Sequence, residues 1–297
     1  MKILVTGIAG FIGQRLIKRF AASDEIVAVD CRPVDGLPEN VRFIKADLND
    51  PSALFESLRA IRPDSCIHLA WEGIPDFGFE NSQRNLRQGT ALFRCLVEEC
   101  GCRKIVAMGS CLEYGKAFGP CREDDPVAAS SYFVWAKRAL FDFGKTLAAR
   151  NGISFVWTRP FYVYGPGQRG GSLIPTLAEA LKTGRQPAVK APYNANDFIF
   201  IDDVAEALAA ALLKDVPMGI YNLGTGRTAP VWKVCEILEK AMGCESRYAA
   251  EMKRSGICAA TDFWADTAKS EKVLGWRART DIEEGIRQYV KVLEAKE

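Results

Sequence analysis

The chain has 297 residues, 48% hydrophobic and 26% charged, with a formal net charge of +2. That composition fits one large α/β domain, or a main domain with a smaller lobe, and lacks the basic surplus expected of a nucleic-acid or anionic-membrane partner. No apolar run approaches the roughly 18 residues that cross a bilayer, so no membrane partner is expected. The chain enters a strand at once, without the pattern of a signal peptide, and a cytoplasmic location is expected. His68 is the single histidine, which excludes a histidine-rich metal site, and the ten cysteines show no Cys-x-x-Cys spacing. In such a chain they read as small buried hydrophobes.

The first element is an apolar run, Ile3-Leu4-Val5, followed by Thr6-Gly7-Ile8-Ala9-Gly10-Phe11-Ile12-Gly13 and a helix-like pattern from Phe11 to Phe20. Strand, glycine turn and helix are the layout of a dinucleotide-binding βαβ unit. Glycine permits backbone angles closed to other residues and lets the main chain approach a diphosphate. The free N–H groups at the helix start then hold its charge. Gly7, Ala9, Gly10, Phe11 and Ile12 are the candidate phosphate-side residues. The second strand, Glu25 to Asp30, ends in a carboxylate 17 residues after Gly13. An acid there accepts from adenosine ribose hydroxyls and repels a 2′-phosphate, which favours NAD over NADP. Arg32 is the competing feature, since a guanidinium could pair with that phosphate.

Val41 to Ile44 reads as a strand, Pro51 to Ile61 as a helix with proline in its first turn, and Ser65 to Ala70 as a buried strand. Asn81 to Glu99 is expected to form one long helix, Lys104 to Met108 a strand, Val134 to Arg150 a helix and Ser154 to Trp157 a strand. Short apolar strands alternating with helices predict a parallel sheet covered on both faces, a Rossmann-type doubly wound α/β fold. Gly165-Pro166-Gly167, Gly170-Gly171 and the stretch from Pro187 to Asn196 are turn-rich breaks around a helix from Leu173 to Lys182.

Many fragments, in order, resemble the extended short-chain dehydrogenase/reductase family, in particular its NAD-dependent nucleotide-sugar epimerases, dehydratases and 4-ketosugar reductases. They are the glycine turn, Ala46-Asp47-Leu48, His68-Leu69-Ala70, Asn85 before Gly89-Thr90, Ser110 with Tyr114-Gly115, and Lys137. Arg159-Pro160, Val163-Tyr164-Gly165-Pro166, Asp197 to Val204, Asn222 to Gly226 and Leu274-Gly275-Trp276 follow. The resemblance implies a cofactor domain over 1–168 plus about 197–226. It implies a smaller C-terminal substrate-binding lobe from 169–196 and 227–297. Asp47, Leu48, Leu69, Ala70, Trp71, Asn85 and Pro160 would join the cofactor site.

The resemblance also implies a catalytic set: a serine that orients the reacting oxygen, a tyrosine that exchanges its proton, and a lysine one turn later that binds the nicotinamide ribose. Ser110 and Lys137 match. The tyrosine does not: Phe133 stands four residues before Lys137, and Tyr132 is one position early, about 100° around a regular helix. A phenyl ring carries no proton, so a local bulge would have to bring Tyr132 into register, or Cys111 or Tyr162 would have to act. Cys111 and Leu112 occupy the positions of the dehydratases' Asp-Glu pair, which argues against that elimination. Glu113 reads as a surface carboxylate. Ser110, Tyr162, Asn196 and Arg254 are the candidate substrate contacts, with Arg254 suited to a diphosphate.

The implied function is NAD-dependent epimerisation of a nucleotide-diphosphate sugar through a transient ketone. The alternatives are reduction of a nucleotide-linked 4-keto-6-deoxy sugar, and a non-catalytic binder of cofactor or sugar nucleotide. The family also implies a homodimer through the two long helices, with Leu92, Leu96, Leu140 and Phe143 serving either that interface or the sheet.

Overall fold

The computed structural model describes residues 1–244, 247–254 and 259–295. Cys258, and Ser255-Gly256 beside Arg254, lie outside the described residues; the nine described cysteines are all free thiols.

In chain order the elements open with β1 (Lys2–Thr6), α1 (Gly13–Leu16), β2 (Glu25–Asp30), β3 (Val41–Lys45), α2 (Ser52–Ile61) and β4 (Ser65–His68). Next come α3 (Phe79–Arg94), β5 (Lys104–Met108), β6 (Phe118–Cys121), α4 (Tyr132–Asn151), β7 (Ser154–Pro160) and β8 (Tyr162–Tyr164). The remainder is α5 (Leu173–Lys182), β9 (Ala195–Asn196), β10 (Phe198–Phe200), α6 (Ile201–Leu213), β11 (Gly219–Leu223), β12 (Ala229–Pro230), α7 (Val231–Ala241), α8 (Tyr248–Arg254), β13 (Asp262–Ala265) and α9 (Ile282–Glu294).

The chain divides into two compact units, 1–115 with 126–159 and 205–221, and 116–125 with 160–204 and 222–297. The first is organised on a seven-stranded sheet of order β11-β7-β5-β4-β1-β2-β3. β1 pairs in parallel with both β2 and β4, so the strand order reverses there and the carboxyl end of β1 is the switch point where such sheets bind ligands. Ile3, Leu4 and Val5 are wholly buried, as a central strand covered on both faces requires. α2 buries Leu54, Leu58 and Ile61 along one stripe, and burying each such side chain contributes about 1.5–3 kcal/mol.

Two helices differ in length from the pattern. The helix after the glycine turn is α-helical only to Leu16 and closes as a 3₁₀ turn over Ile17–Arg19. The long third helix becomes a π turn over Cys95–Glu99, where Cys100 N–H donates to Cys95 O (3.0 Å). α3 packs on α4 closely enough that a Cβ on Gly89 would stand 2.8 Å from Leu140 Cδ2. Leu92, Leu96 and Leu140 lie in the core beneath, and Phe143 packs partly buried against it.

In the second unit β6, β13, β9 and β12 form one small sheet, and β8 pairs with β10 in another. The expected boundary at residue 168 therefore falls at Pro160, because β8 finds its partner in β10. Residues 116–125 join the second unit because β6 pairs with β13. The buried Asp197 carboxylate ties this unit together, accepting from Thr225 N–H (2.8 Å), Gly226 N–H (3.0 Å) and Ala265 N–H (3.1 Å).

Candidate cofactor and catalytic site

At the end of β1 the chain turns at Gly7, whose φ of +78° is left-handed and whose Cβ, if present, would lie 2.7 Å from Ala70 N. Gly13 is held for another reason: a Cβ there would meet Gly7 O at 2.4 Å and Ile8 Cα at 2.7 Å. The helix therefore seats directly on the turn. Ala9 N–H donates to Asp30 Oδ2 (2.9 Å), which ties the turn to the tip of β2. Asp30 Oδ1 accepts from Arg32 N–H (3.0 Å), while the Arg32 side chain is 65% exposed with Nε 3.5 Å from the same oxygen.

A cleft of about 320 Å³ opens here, lined by Gly7, Gly10, Asp30, Arg32, Leu48, Leu69, Ala70 and Trp71 among others. Gln88 also lines it; its amide nitrogen is buried and has no hydrogen-bond partner. Sequence reasoning missed Gln88, although it lies one helical turn from Asn85 on the same face. Two of the other expected cofactor residues make hydrogen bonds within the protein. Asn85 clamps the loop behind Trp71, accepting from Glu72 N–H (2.8 Å) and donating to Glu72 O (3.1 Å). Asp47 accepts from Asn49 N–H (2.8 Å) and so closes its own turn. Phe11 and Ile12 belong to the turn before α1, and Pro160 ends β7.

The second half of the first unit's site is the corner after β5. Ser110 caps the 3₁₀ turn Cys111–Tyr114. Its Oγ accepts from Leu112 N–H (3.2 Å), and its own N–H donates to Glu113 Oε1 (2.8 Å), a capping box. The expectation that Glu113 is a surface carboxylate fails, because Glu113 is 0% exposed. It accepts from Trp157 Nε1 (3.1 Å) and from Arg159 Nε (2.9 Å), and Arg159 is itself wholly buried over the Tyr114 ring. A Cβ on Gly109 would lie 2.2 Å from both Glu113 Oε1 and Trp157 Nε1, so only glycine allows this course.

α4 begins with Ser131 as its cap, Ser131 Oγ accepting from Val134 N–H (3.3 Å), and runs regularly from Tyr132. No bulge brings Tyr132 to Lys137. Tyr132 is 56% exposed and stands edge-on to Phe79. Phe133 occupies the buried face instead, 4.7 Å from the Phe77 ring and 5.5 Å from Trp71. Lys137 is buried, donates to Met108 O (2.7 Å), and holds its Nζ 3.5 Å from the centre of the Trp71 ring. Burial pulls its pKa down to about 7, against the opposing charge of Glu113. His68, whose Nδ1 is 2.8 Å from Thr6 Oγ1, is pushed down to about 3 by burial and by Lys137, so it is neutral. Cys111 is buried at 4% exposure.

Of the expected substrate residues, Ser110 lies in the first unit and Tyr162, Asn196 and Arg254 in the second. Tyr162 sits in β8 with its ring 6.0 Å from Phe263, and Asn196 is buried in β9 in register with Phe263. Arg254 is the exposed last residue of α8. The start of that helix is held by buried Glu239, whose Oε1 accepts from Tyr248 N–H (2.9 Å).

Residues 3–224 match the model of the NAD dependent epimerase/dehydratase family. UDP-glucose 4-epimerase 3 of Oryza sativa subsp. japonica is 28% identical, covering 96% of this chain and 87% of its own. A probable dTDP-glucose 4,6-dehydratase of Sinorhizobium fredii is 29% identical over 98% of this chain and 92% of its own. Among solved structures, MoeE5 in complex with UDP-glucuronic acid and NAD is similar over the full length of both chains, at 30% identity and a TM-score of 0.84. With the glycine cradle, the Asp30 tip and the Ser110–Lys137 corner all in place, the chain belongs to the NAD dependent epimerase/dehydratase family.

Proposed function

We propose that the protein binds NAD and epimerises a ring carbon of a uridine-diphosphate sugar through a transient ketone. The observation that carries the reading is the full-length likeness to MoeE5, which was solved with NAD and with either UDP-glucose or UDP-glucuronic acid. The residues fit the cofactor. Gly7 and Gly10 leave the main chain open to a diphosphate, Asp30 offers a carboxylate to ribose hydroxyls, and Gln88 brings an unpartnered buried amide to the cleft. When bound, NAD supplies a hydride acceptor that becomes the donor for the return. Ser110 would hold the reacting oxygen, and Arg254 would meet the substrate diphosphate. Cys111 and Leu112, where the dehydratases carry an Asp-Glu pair, favour epimerisation over elimination. Phe133 favours the second reading, a binder without turnover.

Isothermal calorimetry with the two cofactors tests the first step. NAD is expected to bind at least tenfold more tightly than NADP, about 1.4 kcal/mol, because a carboxylate at the tip of β2 would repel a 2′-phosphate. Equal or tighter NADP binding would assign that phosphate to Arg32 and remove the preference.

A homodimer is part of the same proposal. Phe79, Tyr132 and Trp135 are 43%, 56% and 38% exposed, Phe79 stacking on Trp135 and standing edge-on to Tyr132 where α3 and α4 begin. A second copy covering this face would bury aromatic surface that water otherwise wets. Light scattering is expected to give twice the 32.8 kDa chain mass; a monomer mass that persists as concentration is raised would sink the dimer.

A further inference from the structure

We propose that Lys137 is itself the proton carrier of the reaction, taking the part that a phenol at position 133 would otherwise play. The inference rests on the epimerase reading above. It starts from what the corner lacks. Phe133 has no exchangeable proton, is 4% exposed, and is walled by Phe77 and Trp71. Tyr132 points away, 56% exposed, and Tyr114 is buried beneath the Arg159 guanidinium.

Lys137 has the complementary properties. Its Nζ is anchored to Met108 O, the last carbonyl of β5, two residues before Ser110. That single hydrogen bond uses one of its three donors and sets the nitrogen beside the serine loop. Its other neighbours are the faces of Trp71 (3.5 Å) and Phe133 (5.7 Å) rather than a carboxylate. An ammonium so enclosed is expensive to keep charged, and burial brings the group to about 7. There amine and ammonium are both populated at neutral pH, the condition under which a general acid–base group works best. The charged and titratable groups around it are Glu113 on the 3₁₀ turn, which favours the ammonium, and His68 on β4, which is neutral.

The step balances. Neutral Lys137 takes the proton of a sugar hydroxyl, and the O–H electron pair becomes the second C–O bond. The C–H pair leaves as hydride to oxidised NAD. On the return the hydride adds to the other face of the carbonyl carbon, and the Lys137 ammonium gives the proton back to oxygen.

Two measurements on the full chain decide the assignment. In protein labelled with carbon-13 at lysine Cε, the resonance displaced by the Trp71 ring current is expected to titrate near 7; titration at the ordinary lysine value, about 10.4, overturns the proposal. Lys137→Arg keeps a cation for the ribose but cannot lose its proton at neutral pH. It is expected to retain NAD binding by calorimetry while turnover of UDP-glucose or UDP-glucuronic acid falls about 10²–10⁴-fold. Adding Phe133→Tyr in that background should restore turnover. In Glu113→Gln the rise of activity with pH should move to lower pH, since the carboxylate that favours the ammonium is gone. Turnover retained in Lys137→Arg overturns the lysine assignment alone. No turnover of either sugar nucleotide by the NAD-loaded wild type overturns the epimerase reading on which it rests.

Discussion

Glu113→Ala is expected to lower the free energy of unfolding by about 3–5 kcal/mol, the cost of breaking a buried ion pair from one side. Three donors lose their acceptor at once: Ser110 N–H, Trp157 Nε1 and Arg159 Nε. The largest part belongs to Arg159, a guanidinium with no exposed surface that would keep its charge without a counter-ion. Glu113→Gln should cost less, because an amide oxygen still accepts from Ser110 while the charge is lost. Replacing both partners, as in Glu113→Leu with Arg159→Met, should recover much of the loss, since an apolar pair of similar volume avoids desolvation altogether. Urea denaturation with an unchanged slope measures each difference. A loss under about 1 kcal/mol for Glu113→Ala would mean that water reaches Arg159 and that the carboxylate does not hold the corner.

Gly13→Ala should cost the cofactor site about as much as any single methyl group can. Its Cβ would stand 2.4 Å from Gly7 O and 2.7 Å from Ile8 Cα, both main-chain atoms that have no rotamer to turn aside. The turn must move, and with it the Ala9 N–H that reaches Asp30. Overpacking of this kind typically costs about 1–3 kcal/mol of stability. A displacement of the phosphate cradle should weaken NAD binding by about 100-fold, some 2.7 kcal/mol. Calorimetry reads the affinity and thermal unfolding the stability. Unchanged NAD affinity in a folded Gly13→Ala protein would show that the helix does not seat on the turn as described.

Much of the first unit could be read from local signals. The apolar run before Gly7, the glycine spacing and the carboxylate ending β2 each act within a few residues of themselves, so their meaning survives without tertiary contacts. The four-residue spacing of Phe133 and Lys137 likewise places both on one face of a regular helix, where the structure has them. Glu113 on its own reads as a surface carboxylate, yet it is wholly buried. The sequence Ser110-Cys111-Leu112-Glu113 is a capping box, a local signal for the turn that forms. Its burial was not legible locally, since Trp157 and Arg159 arrive from β7, whose register Met108↔Thr158 is fixed by long-range pairing. Asn85 and Asp47 show the same limit from the other side. Each is a polar residue at a matching position that also bonds within the protein, Asn85 to the loop at Glu72 and Asp47 to its own turn at Asn49.

Oxidation at a ring carbon is tested most directly by proton NMR of UDP-glucose or UDP-glucuronic acid incubated in deuterated water with the NAD-loaded protein. A transient ketone returns the same hydride to the opposite face. The expected result is a new set of signals from the epimer that keeps protium at the inverted carbon. Deuterium at that carbon, or no epimer from either sugar nucleotide while NAD is bound, would contradict it.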